Sequence, residues 1–253
     1  MSAVRSLSLG LISTVCLGCI GCDAPGHSAR DREVSPPGQV MEFAALYKQN
    51  CAGCHGENGN NGAAISLANP VYLAVAGGAT VRQVIANGVA GKLMPAFEIS
   101  AGGTLNDQQI DSLVQGILHV WSRPDTVVAS PVPSYAATTK GDPTKGQKAF
   151  TEFCAHCHGD DGTGANGQTA GNPQAVPGSI VDPSYLALVS DQSLRSTIIA
   201  GRPDQGMPDW RSDTSGPGSR AMTDQDITDI VAWLAAQRTA YPGQPGAPER
   251  SYL

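Results

Sequence analysis

Two copies of one pattern constrain this chain more than anything else in it. Cys51-Ala52-Gly53-Cys54-His55 and Cys154-Ala155-His156-Cys157-His158 share the form Cys-x-x-Cys-His, and each opens one half of an internal repeat. Downstream, residues 69–95 align with 182–208 without a gap and share nine identities in 27 positions. They include Tyr72 with Tyr185, Arg82 with Arg195, Ile85 with Ile198, Gly88 with Gly201, and Met94-Pro95 with Met207-Pro208. A later block repeats as well, with Leu105-Asn106-Asp107 set against Met222-Thr223-Asp224. A chain that repeats at this scale builds one supersecondary unit twice.

The periodicity inside each half is helical. Apolar residues recur at Ile110, Leu113, Val114 and Ile117, and again at Ile227, Ile230, Val231 and Leu234, which is the spacing of one helix face. Asn106 and Thr223 stand where N-caps belong. First helices are expected over about residues 40–49 and 144–153. Each half therefore reads as helix, Cys-x-x-Cys-His, Gly-rich loop, short helix, Met loop and terminal helix. Strand alternation is weak throughout, so two helical halves in tandem are expected. Residues 122–142, rich in Pro, Ser and Thr, read as a linker, and residues 241–253 as an irregular tail.

Cys-x-x-Cys-His is the attachment motif of c-type haem. Two cysteines three apart on one helical turn reach the two vinyl groups along one haem edge, and the next residue turns its imidazole toward the iron. Cys51, Cys54, Cys154 and Cys157 are thus expected to attach two haem c groups, with His55 and His158 as iron ligands. Zinc or a redox dithiol are the competing uses of paired cysteines. The His that follows each pair, and the recurrence of the motif within a repeat, argue for haem. Composition agrees. Aromatic residues are 5% of the chain, so two small domains lack the large side chains of an ordinary core, and a large apolar cofactor would fill that space.

The sixth iron ligand must come from elsewhere, and thioether sulfur suits it. Met94 lies 39 residues after His55, and Met207 lies 49 after His158. The ten-residue difference equals the extra length of the second Gly-rich loop, so the two methionines hold one repeat position. Met222 aligns with Leu105, an apolar position, and Met41 has no counterpart. His119 on the first terminal helix also lacks a counterpart and reads as a surface histidine, while His156 should point away from the iron and His27 lies in the tether. Arg82, Arg195 and Arg202 are candidate partners for haem propionates, because guanidinium grips carboxylates in two-pronged fashion.

The N-terminus is an address. Arg5 precedes an apolar run over residues 7–20, too short to span a bilayer comfortably, and three cysteines fall at 16, 19 and 22. Residues 1–22 resemble a bacterial lipoprotein signal, with Cys22 as the lipidated residue and Cys19 as the alternative. The position three before each is itself a cysteine, where that family usually has Leu. Residues 23–39 follow as a polar tether. The resemblance implies export, a lipid anchor and a place on the periplasmic side of a bacterial membrane. A net charge of −6 with no basic run excludes a nucleic-acid partner.

Taken together, the motifs resemble tandem cytochrome c domains of the class I kind, over about residues 40–121 and 143–240. That resemblance implies an all-α fold centred on haem in each half, and one-electron transfer between redox proteins rather than catalysis. In this family a Pro carbonyl after the motif often orients the ligand His. Pro177 could serve in the second half, whereas the first half has no Pro between Gly62 and Asn69. The run from Gly201 through Met207-Pro208-Asp209-Trp210 is similar to cytochrome subunits of quinol-oxidising complexes or terminal oxidases, so a membrane respiratory (or photosynthetic) complex is the expected partner. The alternatives are a dihaem enzyme with one open iron (a peroxidase or a sulfur-compound dehydrogenase) or the electron-accepting subunit of a dehydrogenase.

Overall fold

A computed structural model describes residues 36–90, 92–127, 132–164, 178–211 and 220–238. From Pro37 onward the chain forms one compact unit that holds both halves of the repeat. The signal over 1–22 with Cys19 and Cys22, His27 and most of the tether, Pro177, and the tail over 241–253 lie outside the described residues. Those that are described form helices and no strand, in agreement with the all-α expectation.

The first half contains α1 (Phe43–Asn50), α2 (Ala52–His55), α3 (Pro70–Asn87) and α4 (Asp107–Trp121). The second contains α5 (Pro143–Phe153), α6 (Ala155–His158), α7 (Pro183–Leu188), α8 (Asp191–Ala200) and α9 (Asp224–Ala236). Asn106 and Thr223 cap α4 and α9 as expected, each within a full capping box closed by Gln109 or Asp226 at the third helical position. The "short helix" of the sequence reading is longer in the first half. There α3 runs 18 residues and is broken by Gly77, whose φ of 71° is not helical. The repeat sets Gly77 opposite Ser190, which separates α7 from α8 and caps α8 by accepting from the Ser193 N–H. One half uses glycine and the other a new N-cap to make the same break.

In each half the first helix packs on the terminal helix, α1 on α4 and α5 on α9. Ile110, Leu113 and Ile117 on α4, with Ile227 on α9, are fully buried. Each such side chain contributes about 1.5–3 kcal/mol of burial. The crossing itself is built in two opposite ways. In the first half, Gly116 on α4 leaves room for Phe43, whose ring carbons lie 2.2 Å from where a Cβ would stand. In the second, Gly146 on α5 lies against the Asp229 carbonyl and Trp233 of α9. Phe43 and Gly146 hold one repeat position, and Gly116 and Trp233 hold another. Large and small residues have changed sides across one helix contact, so the volume in the crossing is retained.

The repeated arginines tie α3 or α8 to the start of the terminal helix. Arg82 bonds Asp107 and Asp111, each at 2.8 Å, and Arg195 bonds Asp224 and Thr228, the counterparts of those two residues. Arg195 also donates to the carbonyls of Ser134 and Tyr135, so it pins residues 132–142 along the second half. Its side chain is 3% exposed, against 39% for Arg82. Arg195→Ala leaves Asp224 and two carbonyls without their donor, and is expected to cost about 3 kcal/mol or more, because a partly buried ion pair loses one member. Arg82→Ala, at the water-exposed copy, is expected to change the melting curve little. Thermal unfolding of the two variants side by side checks this. Equal losses would mean that burial does not set the difference.

Candidate functional site

Each Cys-x-x-Cys-His motif forms one short helix between two longer elements. Cys51 accepts the end of α1 and starts α2, since its N–H donates to the Tyr47 carbonyl at 2.8 Å and its own carbonyl takes the His55 N–H at 3.0 Å. Cys154 does the same between α5 and α6, with bonds of 2.8 and 3.0 Å to Phe150 and from His158. Gly56 and Gly159 then reverse the chain with φ of 83° and 74°. At Gly56 a Cβ would lie 1.8 Å from the Asn60 carbonyl oxygen, so only glycine allows this turn.

His55 is 7% exposed. Its Nδ1 lies 2.7 Å from the Ile65 carbonyl oxygen. A carbonyl can only accept, so Nδ1 carries the proton and Nε2 keeps its lone pair for a metal. The missing prolyl carbonyl of the first half is thereby replaced by that of Ile65, which sequence spacing did not single out. In the second half, His158 Nδ1 is buried and has no hydrogen-bond partner among the described residues. Pro177, the carbonyl expected there, lies outside the described residues. Burial holds both imidazoles below the usual histidine pKa, which favours the neutral form that can ligate. Burial, followed by the neighbouring Cys54 or Cys157, pushes the thiols of Cys51 and Cys154 up to about 12.

The Met loops are alike in both halves. α3 ends at Gly88 and α8 at Gly201, each with φ of 66°. A Cβ at Gly88 would meet the Met94 carbonyl at 2.7 Å, and one at Gly201 would meet that of Met207 at 2.6 Å. Glycine therefore lets the Met-Pro segment fold back on the helix end. The loops are closed by Val89 N–H to Met94 O at 2.9 Å in one half, and in the other by Arg202 and Met207 bonding each other's backbone at 2.8 and 3.0 Å. Met94 and Met207 are both half-buried, and Met94 packs against the apolar core. Met222 packs there too, whereas Met41, His119 and His156 are exposed.

Among the described residues no cluster of three or more His, Cys, Asp or Glu is arranged to hold a bare metal ion. Each half instead supplies one imidazole (buried at His55, half-buried at His158), two thiols on one turn and one thioether, a donor set that fits an iron held by its own macrocycle. The arginines expected at the propionates are otherwise engaged. Arg82 and Arg195 hold the carboxylates described above, and Arg202 bonds Asp204 and the Gly62 carbonyl. Beside the first motif, Tyr47 donates to the Gly56 carbonyl at 2.8 Å and packs between Phe43 and Trp121. Its repeat counterpart is Phe150, which stacks on Trp233 but has no hydroxyl to donate.

Comparison with known proteins follows the same division. Residues 143–237 match the family described as Cytochrome c, and residues 38–115 match Cytochrome C oxidase, cbb3-type, subunit III. The chain is 29% identical to the Cbb3-type cytochrome c oxidase subunit CcoP of Azospirillum brasilense, over 75% of this chain and 59% of that protein. It is likewise 29% identical to that of Rhodobacter capsulatus, over 76% of this chain and 60% of that one. The chain thus spans about three fifths of the length of these relatives. Among solved structures, a chain of the Kuenenia stuttgartiensis reducing HAO-like protein complex superposes with a TM-score of 0.41 at 19% identity, covering 78% of this chain and 96% of that one.

Proposed function

Because the chain is a tandem of two cytochrome c domains with two covalently bound haem c groups, we propose that it passes single electrons between protein partners and does no substrate chemistry of its own. Bound haem c supplies a one-electron iron couple in each half. Cys51 and Cys54 would hold the first group and Cys154 and Cys157 the second. His55, oriented by the Ile65 carbonyl, and Met94 would hold the first iron, and His158 and Met207 the second. Held in this way by protein, neither iron would be open to a small substrate.

The observation that most supports this reading is the matched seating of the two Met-Pro turns on Gly88 and Gly201. Two loops of different sequence bring the same residue type back against the end of the preceding helix. Surface position alone would not require that.

The likeness to terminal-oxidase subunits supports a membrane respiratory complex as the partner. No helix among the described residues is long and apolar enough to cross a membrane. Attachment on the periplasmic side is assigned to a lipid on Cys22, with Cys19 as the alternative, and mass spectrometry of the mature N-terminus tests it.

Optical spectra of the purified protein, oxidised and reduced, test the function. Two haems per chain, a weak red-edge band from sulfur ligation and no shift with carbon monoxide are expected. A carbon monoxide shift would reveal an open iron and sink the carrier reading in favour of a dihaem enzyme.

A further inference from the structure

The two halves meet through polar contacts that are short, partly buried and reciprocal. Asn69, 3% exposed, starts α3 with its Oδ1, which accepts from the N–H groups of Val71 and Tyr72 at 2.9 and 3.2 Å. Its Nδ2 reaches across to the second half and donates to the carbonyls of Ala200 and Gly201 at 2.8 and 3.3 Å. Nearby, the Asn61 N–H donates to Asp204 Oδ2 at 3.1 Å, and Arg202 Nη2 donates to the Gly62 carbonyl at 3.1 Å. Arg202 and Asp204 also pair with each other at 3.3 Å, with side chains 14% and 9% exposed. Burial raises the pKa of Asp204, but the bonds from Arg202 and the Asn61 N–H outweigh it and hold the carboxyl below its usual value. Lys92 of the first Met loop also donates across, to the Ala187 carbonyl on α7 at 3.2 Å.

Two features give this contact a use. First, it joins specific loops: Asn61 and Gly62 follow the first haem motif, and Ala200 through Asp204 lead into the second Met loop. Second, Arg202 is paired at the backbone with Met207 itself. A force on the Arg202 side chain therefore reaches the segment that carries the sulfur. Asp182 holds the repeat position of Asn69 and caps α7 by accepting from the N–H groups of Ser184 and Tyr185, but a carboxylate has no N–H to donate across. The second half thus has no copy of the Asn69 contact.

We propose that Asn69, Asn61, Gly62, Arg202 and Asp204 form an interdomain latch through which the first half positions Met207 as ligand in the second. These are positioning residues, and the proposal rests on Met207 being the distal ligand. Opening of the seam would loosen Met207 and expose the second iron, while the first haem would keep its own ligands. The redox state of the second centre would then depend on the docking of the two halves, not on the second half alone.

Asn69→Asp is the informative variant, because its oxygen can still cap α3 while the donor to Ala200 and Gly201 is lost and a negative charge faces two carbonyls. Asp204→Asn is the companion, and it carries the test if the first variant does not fold. Both are made in the full chain with two haems bound. The readouts are carbon monoxide binding to each reduced haem and the rate of proteolytic cleavage within residues 122–142. Expected results are carbon monoxide uptake at the second haem, an unchanged first haem, and cleavage faster by about tenfold, the scale of a lost buried acceptor pairing. Met207→Ala supplies the reference signal for an open second iron. If that control binds no carbon monoxide, the ligand reading has failed, and the cleavage rate still decides whether the latch exists. Unchanged cleavage together with no uptake in either variant overturns the latch. So does an effect confined to the first haem, which would make Asn69 a local residue of its own half.

Discussion

If Met207 is the sulfur ligand proposed above, Met207→Ala is expected to lower the potential of the second haem and to let carbon monoxide bind to its reduced form. Thioether ligation favours the reduced iron, so its loss favours the oxidised one. Axial ligands move haem potentials across about 0.8 V, and loss of this sulfur is expected to shift the second haem by on the order of 100 mV or more. Half of the red-edge absorption disappears with it. Met94→Ala does the same to the first haem, so the two variants assign the two potentials to the two halves. A redox titration with both potentials unchanged in either variant would remove that methionine from the ligand set, and attention would move to another donor in the same half.

Gly146→Ala is expected to unfold the second half's helix crossing. Intrinsic propensity predicts the opposite, since Ala is better than Gly inside a helix by about 1 kcal/mol. At this position, however, a Cβ would lie 1.9 Å from the Asp229 carbonyl oxygen and 2.5 Å from its carbon. Those atoms belong to the backbone of α9 and cannot rotate aside, so α5 must move off the helix that buries Phe150. The cost is set at the top of the overpacking range, about 3 kcal/mol or more. For a domain of this size that lowers the melting temperature by more than about 12 °C. Gly116→Ala meets the Phe43 side chain instead, which can shift, so it should cost less and be relieved by adding Phe43→Ala. Calorimetry of the three variants decides. A stabilised Gly146→Ala would mean that the two helices are not in contact there.

Some of this was open to reading before any coordinates. The helices of α4 and α9 follow from an apolar face at helical spacing and from Asn106 and Thr223, because local pattern and capping act within one segment. The equal repeat positions of Met94 and Met207 also needed no structure, since the ten-residue difference in loop length cancels between the halves. Other features depend on the path of the chain. The protein acceptors of Arg82, Arg195 and Arg202 include ones from remote parts of the chain: Asp107 and Asp111, Ser134 and Asp224, and Gly62. The carbonyl of Ile65 was missed because every residue has a carbonyl, and only the path of the chain decides which one faces His55 Nδ1. The exchange of Phe43 and Gly116 for Gly146 and Trp233 was visible as four letters, but it became a pair of compensating changes only once the helices were seen to cross there.

The amino-acid pattern alone carries two haem-attachment motifs, a candidate donor set repeated in register and an all-helical periodicity on which to hang them. These are carried by residue type and by spacing along one segment. Which carbonyl orients His55, which carboxylates the arginines pair with, and that Asn69 and Arg202 bind the two halves across 131 and 140 residues of chain are set by the folded chain. Such contacts depend on where distant segments come to lie, and composition and period along the chain do not specify that.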